Sequence, residues 1–395
     1  MIITAVVAVV VVLLGGGVTA VLLISGEDRP VVAEKPGPAD GDVLEQRTSA
    51  DGVMYGEVAV IDACTLMPAS LLEETGFGDV ARGGHSQTYV PRSVPAALAT
   101  VKGANDGITA CRYDVRQEGR IDFLAISVEQ EPFSEPLPAR AIGDDVAATI
   151  GGLRAFKAKE KKEGDFFTRI HSADGSAAVY VSAGRLNDNK GFDYEAAHDR
   201  LLEKIALNFA AAPKGQTRFA YTGRYQSVPP ACDILTQEIF EEVTGSEDSG
   251  VVQADISENE VLKDLKNGKY VYVTGQMCQR STPEWHVRKR GNSLEMDLSI
   301  HRDATMPPIN EPDCDPNSSS RRLFGPATPA PAKIGDGDAC AFSIGESLQY
   351  SFNVGRTTVR LSPYGPWVPK DQEEFAVKFA PVAQRLADEV RKAIG

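Results

Sequence analysis

The spacing of apolar and polar positions divides the chain into three stretches. From Ile2 to Ser25 the run "IITAVVAVVVVLLGGGVTAVLLIS" holds no charged residue. At about 1.5 Å per helical residue it is long enough to cross a hydrocarbon core of about 30 Å, so residues 1–25 predict a single transmembrane helix. A cleaved signal sequence is the alternative, weakened by the absence of basic residues at its start. Residues 26–55 are rich in Pro, Asp and Gly and poor in large apolar side chains, the composition of a disordered stalk. From Gly56 onward apolar residues recur at strand and helix periods.

In that third stretch one pattern is written twice. "ACTLMPASLLEETG" at 63–76 returns as "ACDILTQEIFEEVTG" at 231–245. Both read as short helices with an apolar pair (Leu71–Leu72, Ile239–Phe240), a glutamate pair, and a glycine stop at Gly76 or Gly245. Strand-like alternations follow in "FLAISVEQ" (123–130) and "LEMDLSI" (294–300), then in "SAAVYVSAG" (176–184) and "RTTVRLSPYG" (356–365). Each series closes on an amphipathic helix: Tyr194, Ala197, Leu201 and Ile205 share the spacing of Phe379, Val382, Leu386 and Val390. Pro381 either interrupts the second of these helices or lies in its first turn. The shared order predicts a duplicated domain, 56–213 and 225–395, joined by "KGQTRFAYTGRYQS" and carrying a Pro/Ser-rich insertion near 310–335. Without regular β-α-β alternation the fold class is α+β, each copy an antiparallel sheet between a short N-terminal helix and a C-terminal one.

The chain has six cysteines, none in a zinc-like spacing with histidine. The next cysteine after Cys64 is Cys111, and Cys278 follows Cys232 at almost the same distance, which predicts two equivalent disulfides. Cys314 and Cys340 flank the insertion and are expected to clip it, although four cysteines in the second copy leave three connectivities open. Stable disulfides need an oxidising compartment. Residues 26–395 are therefore expected outside the cytoplasm, on a single-pass cell-membrane protein.

The motifs "DACTLM" and "PACDIL", with "TACRYDV" and "GQMCQRS" around the second cysteines and "GDGDACAFSIG" later, resemble an actinobacterial cell-envelope domain of unknown function. That Cys-rich domain occurs in small lipoproteins and membrane-anchored proteins, and here the likeness covers two tandem copies. Two departures stand out: Tyr113 and Arg280 occupy positions where such domains often carry Trp, and no lipobox cysteine precedes the stalk. The resemblance implies an extracytoplasmic module and supplies no catalytic residues.

A net charge of −14 argues against a nucleic-acid partner, since such binding neutralises phosphates with Lys and Arg. "KAKEKK" (157–162) and "VRKR" (287–290) read as solvated hairpin turns. No G-x-S-x-G, H-E-x-x-H or phosphate-cradling glycine loop occurs. The histidines at 85, 171, 198, 286 and 301 are expected at surface or capping positions, and the glutamate pairs 73–74 and 241–242 on solvated helix faces. Acidic clusters at 310–317 and 335–340 match turns better than a calcium loop. Trp285 and Trp367 are partner-contact candidates if exposed, or rings folded back over a sheet edge. The sequence thus predicts no catalytic residues, cofactor or metal. It predicts a membrane-tethered extracytoplasmic binding protein, with an accessory subunit of a transport or secretion complex, or an envelope hydrolase, as alternatives.

Overall fold

The computed structural model describes residues 43–49, 54–55, 58–77, 80–89, 109–117, 120–131, 140–142, 145–158, 166–183, 193–211, 216–263, 270–288, 291–302, 314 and 325–394. The first half contains β1 (Leu44–Ser49), β2 (Met54–Tyr55), β3 (Val58–Ala59), α1 (Ala63–Leu66), α2 (Ala69–Thr75), β4 (Val80–Tyr89), β5 (Thr109–Gln117) and β6 (Arg120–Gln130). It continues with β7 (Val146–Ile150), β8 (Leu153–Lys157), β9 (Phe166–His171), β10 (Ala177–Ala183) and α3 (Tyr194–Ala210). The second half contains β11 (Gln216–Tyr221), α4 (Ala231–Ile234), α5 (Gln237–Thr244), β12 (Val252–Lys263), β13 (Tyr270–Ser281), α6 (Pro283–Arg288) and β14 (Ser293–His301). It ends with β15 (Thr328–Pro329), β16 (Cys340–Ile344), β17 (Ser347–Val354), β18 (Thr357–Tyr364) and α7 (Gln372–Ile394).

The fold is mixed helix and antiparallel sheet, closing on a C-terminal helix. Among the described residues one sheet of 14 strands runs β15-β16-β17-β18-β14-β13-β12-β4-β5-β6-β10-β9-β8-β7. Its middle is the antiparallel pair β4–β12, in register from Val252↔Tyr89 to Ser257↔Gly84. Strand periodicity of two sends alternate side chains to opposite faces. On β14, Leu294, Met296 and Leu298 enter the core that α4, α5 and α7 cover, whereas Glu295 and Asp297 face the other way. Cys111, Tyr113, Leu124, Ile126 and Val128 likewise enter a separate core with α1, α2 and α3.

Helix ends follow local chemistry. The Asp62 side chain accepts from the Cys64 N–H at 2.8 Å and caps α1. Gly76 stops α2 at φ +101° and Gly245 stops α5 at φ +64°, where any side chain would be strained. α7, in contrast, runs straight through Pro381, so the proline neither breaks the helix nor lies in its first turn. The N–H that Pro381 lacks would have bonded the Val377 carbonyl. Val377 is 61% exposed, so solvent is at hand on that side of the helix.

Two further expectations need correction. Part of the predicted stalk is ordered: β1 pairs with β11 from Leu44↔Tyr221 to Ser49↔Gln216, and Val43 and Leu44 are buried in the first core. The joining segment "QTRFAY" is a strand that needs a ladder partner, and the stalk's "LEQRTS" supplies one. Val287 and Arg288 end helix α6 rather than forming a hairpin turn; Pro283 at its first position and Glu284 in its first turn both favour a helix start. The predicted anchor over 1–25 lies outside the described residues. Among those residues no helix is long and apolar enough to cross a membrane.

Candidate functional site

All six cysteines are paired, as Cys64–Cys111, Cys232–Cys278 and Cys314–Cys340, with Cα–Cα distances of 5.1, 5.0 and 5.6 Å. The first two tie the cysteine helices α1 and α4 to β5 and β13. Two residues beyond each second cysteine, different side chains do the same work. The Tyr113 hydroxyl donates to the Met67 carbonyl at 2.8 Å, and Arg280 Nε donates to the Leu235 carbonyl at 2.6 Å. Each carbonyl lies just past its cysteine helix, where no intrahelical donor exists. Arg280 also pairs with Asp248 at 2.9 Å, both side chains being buried. Burial pushes the Asp248 carboxyl up, and Arg280 works against that shift.

The face of the sheet away from the helices also carries charged and aromatic groups. One row of register partners crosses it: Phe156, Arg169, Tyr180, Ser127, Ala110, Ser86, Asp255, Met277, Asp297, Arg360, Ser351 and Cys340. Its first-half end is basic and aromatic. Arg169 is buried, stacks over Phe156 at 4.9 Å, donates to the Arg140 carbonyl at 2.8 Å and pairs with Asp145 at 3.3 Å. His171 meets the same Phe156 edge-on at 5.8 Å, and burial, with Arg169 and Arg154 nearby, lowers its pKa. Tyr180 donates a short hydrogen bond to Glu129.

The second-half end is acidic. Glu295, two residues from Asp297 on the same face of β14, is 7% exposed. Burial drives its carboxyl well above the usual range; Asp297 and Asp255 add to the shift, and Arg360 opposes it. Tyr364, in register with Ser293, is pushed up to about 12 by burial and by the Glu295 charge. Both tryptophans meet this tyrosine. The Trp285 ring lies 5.7 Å from the Tyr364 ring, and Trp367 Nε1 donates to the Tyr364 carbonyl at 2.9 Å. Trp367 also packs on Phe379 of α7 at 5.2 Å, so it wraps the end of the sheet onto the core. Both indoles are half-buried.

Other predicted positions play structural parts. Glu73 and Glu74 are exposed; Glu242 pairs with Arg385 at 3.3 Å, and Glu241 accepts from the Asp248 N–H at 3.1 Å. Of the histidines whose side chains are described, His171, His198 and His301 are buried rather than capping the surface. No group of three or more His, Cys, Asp or Glu among the described residues is placed to hold a metal ion. A cavity of about 360 Å³ opens beside Cys314–Cys340, lined also by Pro329, Ala330, Lys333 and Asp338. The alternation "LEMDLSI" already carried the sign of the acidic face, carboxylates at every second position of an apolar strand; Arg169 and His171 carried the same sign in "FFTRIH". Compared with known proteins, the chain matches no family model, no curated sequence and no solved structure.

Proposed function

We propose that this chain is a non-catalytic, membrane-tethered extracytoplasmic protein of the cell envelope that binds a partner through two tandem copies of one domain. The observation that carries the reading is the complete pairing of its six cysteines, which fits an oxidising compartment.

Register supports the duplication. His85 of β4 lies opposite Cys111, and Ala254 of β12 lies opposite Cys278, so the two hold equivalent places. Across the β4–β12 seam His85 pairs with Ile256 and Ala254 with Gln87, each two residues beyond the other's equivalent. Ser86↔Asp255 is then the centre of a twofold relation, the self-complementary pairing of an isologous interface. Strand order read outward from that centre is the same on both sides. Fusing two such domains removes one exposed edge from each sheet, edges that would otherwise invite aggregation.

The test is cross-linking of a tagged full-length chain at native level, in intact cells, with a membrane-impermeant amine reagent, followed by mass spectrometry. A reproducible neighbour linked through residues 56–395 is expected. Reaction only after lysis would overturn the extracytoplasmic placement, and labelled chain without a neighbour would overturn the binding role.

A further inference from the structure

We propose that strand β7 is a self-association edge, pairing antiparallel with β7 of a second copy of this chain about a twofold axis at Ala148. This inference does not rest on the functional reading above.

The 14-stranded sheet has two outer strands, β15 and β7, and the chain treats them differently. β15 is closed to further pairing. It has only two residues, Thr328 and Pro329, and the Ala330 N–H beside them turns inward to the Ala339 carbonyl at 2.8 Å. By alternation Pro329 faces outward, where proline offers no donor. Cys340, in register with Pro329, is further tied to Cys314. β7 carries none of these devices. It has five residues, "VAATI", without charge, proline or bulge, and Val146, Ala147 and Thr149 are exposed. Val146 is 57% exposed and Ile142, shortly before the strand, 43%. An unprotected edge of this kind is a template for another strand.

The hairpin fixes which backbone groups point out. Gly151 and Gly152, at φ +56° and +80°, make a two-residue turn closed by Ile150↔Leu153. Ile150, Ala148 and Val146 therefore exchange their backbone bonds with β8, and the N–H and C=O of Ala147 and Thr149 point away from the sheet. The far side of β8 agrees with this alternation. Ala158, just past the strand, donates to the Phe167 carbonyl at 2.9 Å, so the even-numbered positions of β8 serve β9.

A second β7, turned about Ala148, meets these groups in pairs. Ala147 faces Thr149 of the second copy and exchanges both bonds with it, Thr149 does the same with Ala147, and Val146 covers Ile150. No charged residue opposes another across 146–150, so self-pairing meets no like-charge cost. The β4–β12 seam shows that this sheet already joins its halves by an antiparallel pairing. With β15 closed, the association is isologous and stops at two chains, whereas open edges at both ends would lead to a filament.

The test uses the full-length chain purified in detergent. All six natural cysteines are paired, so a cysteine introduced on β7 is the one free thiol. Facing residues of a non-hydrogen-bonded antiparallel pair lie about 4.5 Å apart at Cα, within reach of a disulfide. Under mild oxidation Ala148→Cys should form a covalent dimer at least about tenfold faster than Thr149→Cys, whose own equivalent lies beyond the limit of about 7 Å. Sedimentation of the natural chain should show a concentration-dependent monomer–dimer equilibrium. Thr149→Pro removes one outward donor from each chain and should weaken that equilibrium at least about tenfold, with the thermal midpoint of the monomer unchanged. A chain that stays monomeric, or equal cross-linking at 148 and 149, would overturn the proposal. So would a dimer indifferent to Thr149→Pro, as an association through the apolar run 2–25 would be. Should Thr149→Pro fail to fold, the contrast between the two cysteine variants decides.

Discussion

Removing Arg280 leaves Asp248 buried with no cation. Asp248 is 3% exposed and Arg280 7%, and their contact is 2.9 Å. Breaking a buried pair by deleting one partner costs about 3–5 kcal/mol, because the surviving charge stays desolvated. Arg280→Ala also strips the Leu235 carbonyl of its donor. The penalty depends on pH. Burial already raises the Asp248 carboxyl above its unfolded value, and the variant loses the influence that held it down. A raised folded pKa means that this group favours the folded state below the unfolded pKa and ceases to do so as pH rises through the folded one. Arg280→Ala should therefore cost its full amount at pH 7.5 and clearly less near pH 5, where Asp248 is increasingly neutral. Urea unfolding followed by tryptophan fluorescence measures this, since Trp285 and Trp367, the only tryptophans, both pack around Tyr364 in the second half. Arg280→Met with Asp248→Asn should recover most of the loss. Tyr113→Phe, which removes one neutral hydrogen bond at the corresponding place, should cost about 1 kcal/mol at either pH. A loss below about 1 kcal/mol for Arg280→Ala, or one that is the same at both pH values, would refute the argument.

Burial holds His198 and His301 down to about 4, so each supports folding above its unfolded value near 6.5 and loses that support as pH falls toward 4. The loss is at most about 3 kcal/mol each, and His198→Gln and His301→Gln should flatten an acid unfolding curve in that window; an unchanged slope speaks against it. Deleting Cys64–Cys111 or Cys232–Cys278 by paired alanines opens loops of 47 or 46 residues, and each should cost about 4 kcal/mol by chain entropy. Losses that differ by more than about 2 kcal/mol would show that the two bonds are not equivalent. Gly335 has φ +66°, and a Cβ there would overlap the Asn353 carbonyl oxygen, whereas Gly345 at φ +61° has open space around it. Gly335→Ala should lower the thermal midpoint well beyond Gly345→Ala, and equal shifts would show that backbone strain alone decides.

What was legible in the sequence follows from what is local. Cysteine spacing, glycine stops and apolar period depend on residues close in the chain, and they led to the three disulfides, the short helices and the antiparallel class. The β4–β12 seam could not be read. Its pairing joins residues far apart in the chain, and "VARGGHSQTY" shows no apolar alternation to mark a central strand. The stalk misled for a related reason: "LEQRTS" becomes a strand only because β11 needs a partner, a demand set elsewhere in the chain. In the sequence Arg280 stands out only as a residue where similar domains carry Trp; its role is visible once the Leu235 carbonyl stands beside it.

Under the proposed duplication, the two faces of the sheet have diverged to different degrees. Toward the helices the places keep their tasks: Tyr113 and Arg280 both serve the carbonyl after a cysteine helix, and both cysteine bonds remain. Away from the helices the places keep position but not charge. Arg169 stands where Ser351 does, Tyr180 where Arg360 does, and Ser127 where Asp297 does. Packing constrains the first face, because an unpaired carbonyl or an opened core costs stability whichever copy it lies in. The second face is buried as well at Arg169, His171, Glu295 and Ser351, yet its two ends now differ in sign, an arginine–histidine pair against a carboxylate cluster. Arg169, held by the Arg140 carbonyl and Asp145 and stacked on Phe156, is thus tied into the fold, and Arg169→Ala should lower the thermal midpoint, an unchanged midpoint speaking against that role.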